Sequence, residues 1–191
     1  MRHKGVSAEE TRSRITEAVG KGFRKNGYEG IGVDAMAKAA GVTSGAFYAH
    51  MGSKKVAFKI ALTEGLDEVL STISKLKENH GKKWLISLVE YYISAEHAAD
   101  LECGCALASL TSEVARMDEG VCMDYKNRLD KIIEIISEDL NVRNSESRTL
   151  ALVFLSMLIG GLNIIRAMGN NDEDIQCVKR QITEFIKPYL F

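Results

Sequence analysis

Proline is nearly absent: the 191 residues contain one, Pro188, close to the C-terminal end. Proline removes an amide donor and clashes with the preceding helical turn, so nothing before residue 188 breaks a helix in that way. Strand-like alternation of apolar and polar residues is also scarce, and the fold class expected from the two scarcities is all-α. Cysteine is limited to Cys103, Cys105, Cys122 and Cys177, without zinc-site spacing. Nothing else points to secretion, so reduced thiols and a cytoplasmic location are expected. Long apolar runs are missing too. The longest uncharged stretch, residues 149–165, includes Ser156, Gly160, Gly161 and Asn163 and falls short of the roughly 20 residues a membrane span needs. It is expected to be a buried helix, with no membrane partner. No apolar run follows the opening MRHKGVSAEE, so no secretory leader is expected.

No excess of one charge marks the chain, whose formal net charge is -1. The distribution is uneven, however. Residues 1–60 hold eleven Lys or Arg against five Asp or Glu, a balance of +6, and the remainder holds 14 against 21, a balance of -7. A basic first third suits a polyanion, and the acidic remainder implies a separate task.

Helical periodicity runs through almost all of what is present. Ser7-Ala-Glu-Glu10 has the form of a capping box, opening a helix whose apolar stripe is Ile15, Ala18, Val19 and Phe23 and which stops at Asn26-Gly27. Short helices are expected over 33–40, closed by Gly41, and over 43–50. Met51-Gly52 then turns the chain, and Ser53 caps a long fourth helix reaching towards Glu78. Further helices are expected over 83–100, 106–116, 119–139, 145–168 and 172–187, with turns at Asn79-His80-Gly81 and Gly169-Asn170-Asn171.

The informative stretch is GVDAMAKAAGVTSGAFYAHMGSKK, residues 32–55. Two short helices meeting at Gly41 have the form of a helix-turn-helix. Ala37 and Ala40 are small enough for close helix approach. Val42, Phe47 and Met51 face Met36 and the first helix. Thr43, Ser44, Gly45 and Tyr48 are left outward. Short hydroxylic residues at the start of a second helix suit a major groove, where Ala46 can meet a thymine methyl. Tyr48 and His50 are placed for phosphate oxygens, and Lys54 adds a cation at the amino end of the fourth helix.

On these residues the chain resembles the TetR family of bacterial repressors. The likeness runs from Thr11 to Leu62: Phe23…Asn26-Gly27-Tyr28, Val33-Asp34-Ala35-Met36-Ala37, Ala40-Gly41-Val42-Thr43-Ser44-Gly45-Ala46-Phe47-Tyr48-Ala49-His50 and Ser53-Lys54. The resemblance implies an N-terminal three-helix DNA-binding domain over 1–53. The long fourth helix joins it to a helical effector-binding and dimerisation domain over 54–191. It implies Val33, Thr43, Ser44, Gly45, Ala46, Tyr48, His50 and Lys54 as the DNA-facing set. Departures from the family pattern are Gly20 and Gly22 within the first helix, Ile31-Gly32 in place of a hydroxylic cap, Met51 for phenylalanine and Lys55 for an acidic residue.

A second segment, Cys105 to Arg116, resembles one branch of the same family. Effector-pocket candidates are Trp84, Tyr91, Tyr92, Cys105, Met117 and Met123. His97 could join them but reads as a satisfied core or surface histidine. The family's last two helices pair with those of a second copy, which implies Leu150, Val153, Phe154, Met157, Leu158, Leu162, Ile182 and Phe185 at a dimer interface, where Gly160-Gly161 permits close approach. The expected partners are double-stranded operator DNA, a second copy of the chain and a small-molecule effector. The expected function is a ligand-responsive repressor, released from a palindromic operator by its effector.

Two alternatives share the fold: a thiol- or electrophile-sensing repressor using Cys103-Gly-Cys105, and an interaction module that no longer binds DNA. An enzyme is not expected, nor a cofactor or a metal. The sequence offers no phosphate-binding glycine loop, no ligand pair at i, i+4 and no nucleophile–base constellation.

Overall fold

The computed structural model describes residues 7–190. Residues 1–6, which carry Arg2 and Lys4 of the basic count and the start of the expected first domain, and residue 191 lie outside the described residues.

Helix α1, Ala8–Asn26, begins where the Ser7 side chain accepts from the Glu10 amide at 3.1 Å, and it ends at Gly27, with φ +73°. Ile15, Val19 and Phe23 are fully buried. Gly22, one of the departures from the family pattern, permits a close approach: a Cβ there would stand 2.8 Å from the Ile31 Cδ1. Helices α2, Val33–Ala39, and α3, Ser44–Met51, follow. Between them Gly41 adopts φ +66°, which a Cβ disfavours. Helix α4, Lys54–His80, is capped by the Ser53 side chain accepting from Val56. It packs on α1 at one end and on α5, α7 and α8 further along, so one rigid rod belongs to both halves of the molecule.

The helix expected over 83–100 is interrupted. A 3-10 turn, Gly81–Lys83, leads into α5, Trp84–Tyr92, and a separate α6 spans Ala95–Ala99. Ile93 leaves the helical region, at φ -101° and ψ 69°, and Ser94 caps the new helix by accepting from His97 at 3.1 Å. A serine competing for the backbone in this way ends one helix and starts another. Helices α7, Ala106–Val114, α8, Glu119–Glu138, α9, Asn144–Ala167, and α10, Asp172–Ile186, complete the body. Pro188 sits in a terminal 3-10 turn.

Helix α9 corrects the expectation of a buried helix. Ala151, Phe154, Leu155, Leu158, Leu162 and Ile165 enter the core, while Leu152, Val153, Ile164 and Met168 are exposed on the opposite side. Its segment Glu146–Ala167 has a mean hydropathy of 2.0 and is long and apolar enough to cross a membrane, yet a third of it is buried inside the protein.

Candidate DNA-binding surface and effector cavity

Helix α3 is held from beneath. Phe47 and Met51 are buried with Met36, Ala37 and Ala40 of the preceding helix, so its outer face is fixed by packing. Two α1 arginines fasten the motif from the side. Arg12 Nη1 donates to the His50 carbonyl at 2.9 Å. The Arg14 guanidinium bonds the carbonyl of Ala40, closing the carboxyl end of α2 with a cation where the helix dipole favours one. Both appear in the sequence only as charge; their partners lie 38 and 26 residues away, and no local pattern announces such contacts.

The DNA-facing candidates differ in what they have left to offer. The Thr43 hydroxyl accepts from the Ala46 amide at 3.2 Å, which leaves its own proton for donation outward. The Ser44 hydroxyl lies 2.5 Å from Asp34 Oδ1 and donates to that carboxylate, so towards DNA it presents lone pairs. Gly45 is exposed, Ala46 half-buried, and Tyr48 is 50% exposed with its ring edge-on to Phe47. His50 and Val33 are half-buried, and Val33 packs against the core. Lys54 holds its ammonium 4.5 Å above the Tyr28 ring and 3.9 Å from Glu29. These contacts aim the charge at the amino end of α4, and the lysine side chain remains a quarter exposed.

A cavity of about 140 Å³ lies in the body between α4, α5, α7 and α9. Three of the expected pocket residues, Tyr91, Tyr92 and Cys105, line it, together with His97 and Cys103. Trp84, Met117 and Met123 do not. Trp84 is buried with its indole N–H donating to Asp139 at 2.6 Å, Met117 is half-buried against the core, and Met123 is half exposed. Aromatic and sulfur-bearing residues filled core and surface positions as readily as cavity walls, and composition alone does not separate the three. Within the cavity, burial pushes the Cys105 thiol up and the Tyr92 phenol well up. His97 is lowered by burial and by the nearby Arg166. Among the described residues no group of three His, Cys, Asp or Glu is placed to hold a metal ion.

One loop joins the cavity to the rest of the molecule. Arg24 Nε on α1 donates to the Glu102 carbonyl at 2.7 Å, and Lys25 pairs with the Glu102 carboxylate at 2.7 Å. Arg166 on α9 donates to the carbonyls of Ala98, His97 and Asp100 at 3.2, 2.9 and 3.1 Å. Lower down, Lys55 pairs with Asp118, and Lys59 with Asp124 at 2.7 Å, tying α4 to the start of α8.

Of the expected dimer residues, Phe154, Leu158, Leu162 and Ile182 are buried in the chain's own core, which leaves no surface for a partner to cover. Leu150, Val153, Met157 and Phe185 retain exposure. With Ile164 and Met168, the α9 members recur at helical spacing along one stripe, and Leu150, Val153 and Phe185 border a shared surface groove.

A helix-turn-helix mounted on a long helix that also walls a partly open cavity defines a two-part architecture, a small helical module joined to a separate helical body. Residues 15–58 match the model of the bacterial regulatory proteins, tetR family. The match covers the helix-turn-helix and its flanking turns, and the fold of the whole chain is similar to that of solved TetR-family regulators. A TetR-family transcriptional regulator from Agrobacterium tumefaciens is similar at a TM-score of 0.80 and 16% identity, over 94% of this chain and 99% of that one. One from Cytophaga hutchinsonii is similar at 0.79 and 18%, over 97% and 98%. The regulator FadR from Bacillus subtilis, solved in complex with stearoyl-CoA, is similar at 0.71 and 16%, over 91% and 97%. No curated protein matches the chain.

Proposed function

We propose that the protein is a ligand-responsive transcriptional repressor of the cytoplasm. It binds a palindromic operator as a homodimer and is released by a small molecule held in the body cavity. Residues 1–53 read DNA, and residues 54–191 bind the effector and the second copy. The observation that carries this reading is the outer face of α3, where Thr43, Gly45 and Tyr48 are exposed over the buried Phe47 and Met51. Short side chains at the front of a recognition helix fit base edges, and Tyr48 with Lys54 fits the phosphates beside them.

A second copy covers the apolar stripe of α9 along Val153, Met157 and Ile164, which water would otherwise meet. Two-fold pairing sets the recognition helices about 34 Å apart, one turn of DNA. Effector binding changes this spacing through α4 and the loop that Arg24 holds. The thiol-sensing alternative is less well supported: Cys103 is exposed, but the Cys105 thiol beside it is pushed up by burial and has little thiolate to react.

The test is titration of the purified protein against DNA upstream of its own gene across a salt series, with random DNA alongside. Tight, salt-sensitive and sequence-selective binding is the expected result. Absence of binding even at low salt would leave the interaction module as the better reading.

A further inference from the structure

We propose that the body cavity takes a compact, uncharged, ring-sized molecule carrying one hydrogen-bond acceptor, which the Tyr92 hydroxyl engages. The proposal rests on the reading of this cavity as the effector site and specifies the chemistry of the guest.

Size sets the first limit. The cavity measures about 140 Å³, and apolar cavities of about 150 Å³ admit a benzene-sized guest. A long acyl chain on a charged head group, as FadR holds, would have to extend well out of such a space.

Charge sets the second. Glu68 is the one ionic side chain among the lining residues, and its carboxylate is well exposed. Nearby Arg24 is engaged by Glu68 and by the Glu102 carbonyl, and Arg166 spends its donors on three backbone carbonyls. An ionic guest would surrender its hydration without meeting an unspent counter-charge.

Hydrogen-bonding capacity sets the third. His97 has none to spare: Nε2 accepts from the Cys105 amide at 3.2 Å, so the proton sits on Nδ1, facing the Tyr92 carbonyl at 3.1 Å. The ring is therefore neutral and fully used, in agreement with its lowered pKa. Tyr92 is the reverse case. It lines the cavity and is only 4% exposed, and its hydroxyl meets the Cys105 thiol, with no nitrogen or oxygen partner. A phenol is one strong donor and a thiol a weak acceptor, so the buried donor is poorly satisfied. An acceptor on the guest completes it, whereas Val69, Ile73, Leu107 and Leu155 offer only apolar surface and the polar lining residues Glu68, Tyr91 and Cys103 are exposed to water.

The experiment compares three ring compounds of one size and shape on the full-length, DNA-free protein by titration calorimetry: acetophenone, its methylene analogue α-methylstyrene, and benzoate. Acetophenone is expected to bind about tenfold more tightly than α-methylstyrene, the worth of one buried hydrogen bond, and benzoate to give no heat. In Tyr92→Phe, acetophenone should fall to the level of α-methylstyrene while the latter is unchanged. The unchanged binding of α-methylstyrene serves as the control that the variant is folded. Benzoate binding as tightly as acetophenone, a preference that survives Tyr92→Phe, or no binding by any of the three would overturn the proposal. Operator binding is measured separately: selective binding of acetophenone without release of DNA would uphold the guest chemistry and defeat the effector reading. Release of DNA by benzoate alone would do the opposite.

Discussion

Arg24 on α1 donates from Nε to the backbone carbonyl of Glu102 at 2.7 Å, although the two residues are 78 positions apart. Glu102 directly precedes Cys103, Gly104 and Cys105, which wall the cavity. The helix-turn-helix half thus holds the cavity wall by its main chain. Arg166 grips the same loop from α9, at the carbonyls of His97, Ala98 and Asp100. A guest that displaces residues 97–105 pulls on α1 and on α9 together, because packed elements transmit displacement rather than absorb it.

Replacing Arg24 with glutamine tests this latch. The amides of residues 100–105 should exchange about tenfold faster in hydrogen–deuterium exchange, as a loop released to open locally does, while α10 exchanges as before. Unaltered exchange in the loop would show that Arg24 does not hold it.

At the DNA face, Tyr48→Phe and Lys54→Ala should weaken binding to all sequences alike, and Lys54→Ala, which removes a cation, should also lower the salt slope by about one unit. Thr43→Ala should instead alter sequence preference, because the Thr43 hydroxyl still has a proton to donate. Ser44→Ala also frees Asp34 from its 2.5 Å hydrogen bond. This sets an unpaired carboxylate near DNA and should cost affinity on every sequence as well as preference. Competition titrations on operator and random DNA separate these patterns. Equal losses for Thr43→Ala on both DNAs would remove it from the base-reading set.

The two faces of α9 call for opposite outcomes. Val153→Glu or Ile164→Arg places a charge on the exposed stripe and should yield a folded monomer with little loss of melting temperature beyond that due to the lost partner. Phe154→Ala, on the buried face, should destabilise the chain by about 3–5 kcal/mol. Light scattering and urea unfolding read the two effects. A Val153→Glu protein that remains dimeric would place the interface elsewhere.

The helix-turn-helix was legible because every residue in it answers a local demand: Gly41 the positive φ of the turn, Phe47 the core, Ser53 a helix cap. The halves of α9 were less legible. A helix apolar on nearly all sides gives no periodic signal, so Phe154 and Val153 look alike in sequence and differ only in which neighbours the fold supplies. The break at Ile93-Ser94 was hidden for the same reason, since serine is tolerated inside helices and caps them only where the chain must turn. The cavity owes three of its residues to a reading of aromatic and sulfur content, and its loop to none. The contacts of Arg24 and Arg166 with the loop span 66 to 78 positions and exist only in three dimensions.

His97 should make the stability of the protein depend on pH near neutrality. The residue is 8% exposed, and its ring uses both nitrogens in the neutral form. Arg166 from α9 opposes a second positive charge, while Asp100 and the Tyr91 and Tyr92 carbonyls only partly favour it. The folded-state pKa is accordingly depressed below the ordinary histidine value of about 6.5. The unfolded chain then binds more protons than the folded one between the depressed value and about 6.5, so stability is complete above that window and falls as pH is lowered through it. Glu102, Asp118 and Asp130 have lowered pKa values through their cationic partners and lose their contributions only in more acidic solution. Urea midpoints between pH 8 and pH 5.5 should therefore decline in the native protein. In His97→Gln, which cannot take up the proton, the midpoint should start lower at pH 8 and decline less. An equal decline in both proteins would assign the slope to another group. A rise in stability on acidification would mean that the imidazole is charged in the folded state, and that the Cys105 amide does not donate to it.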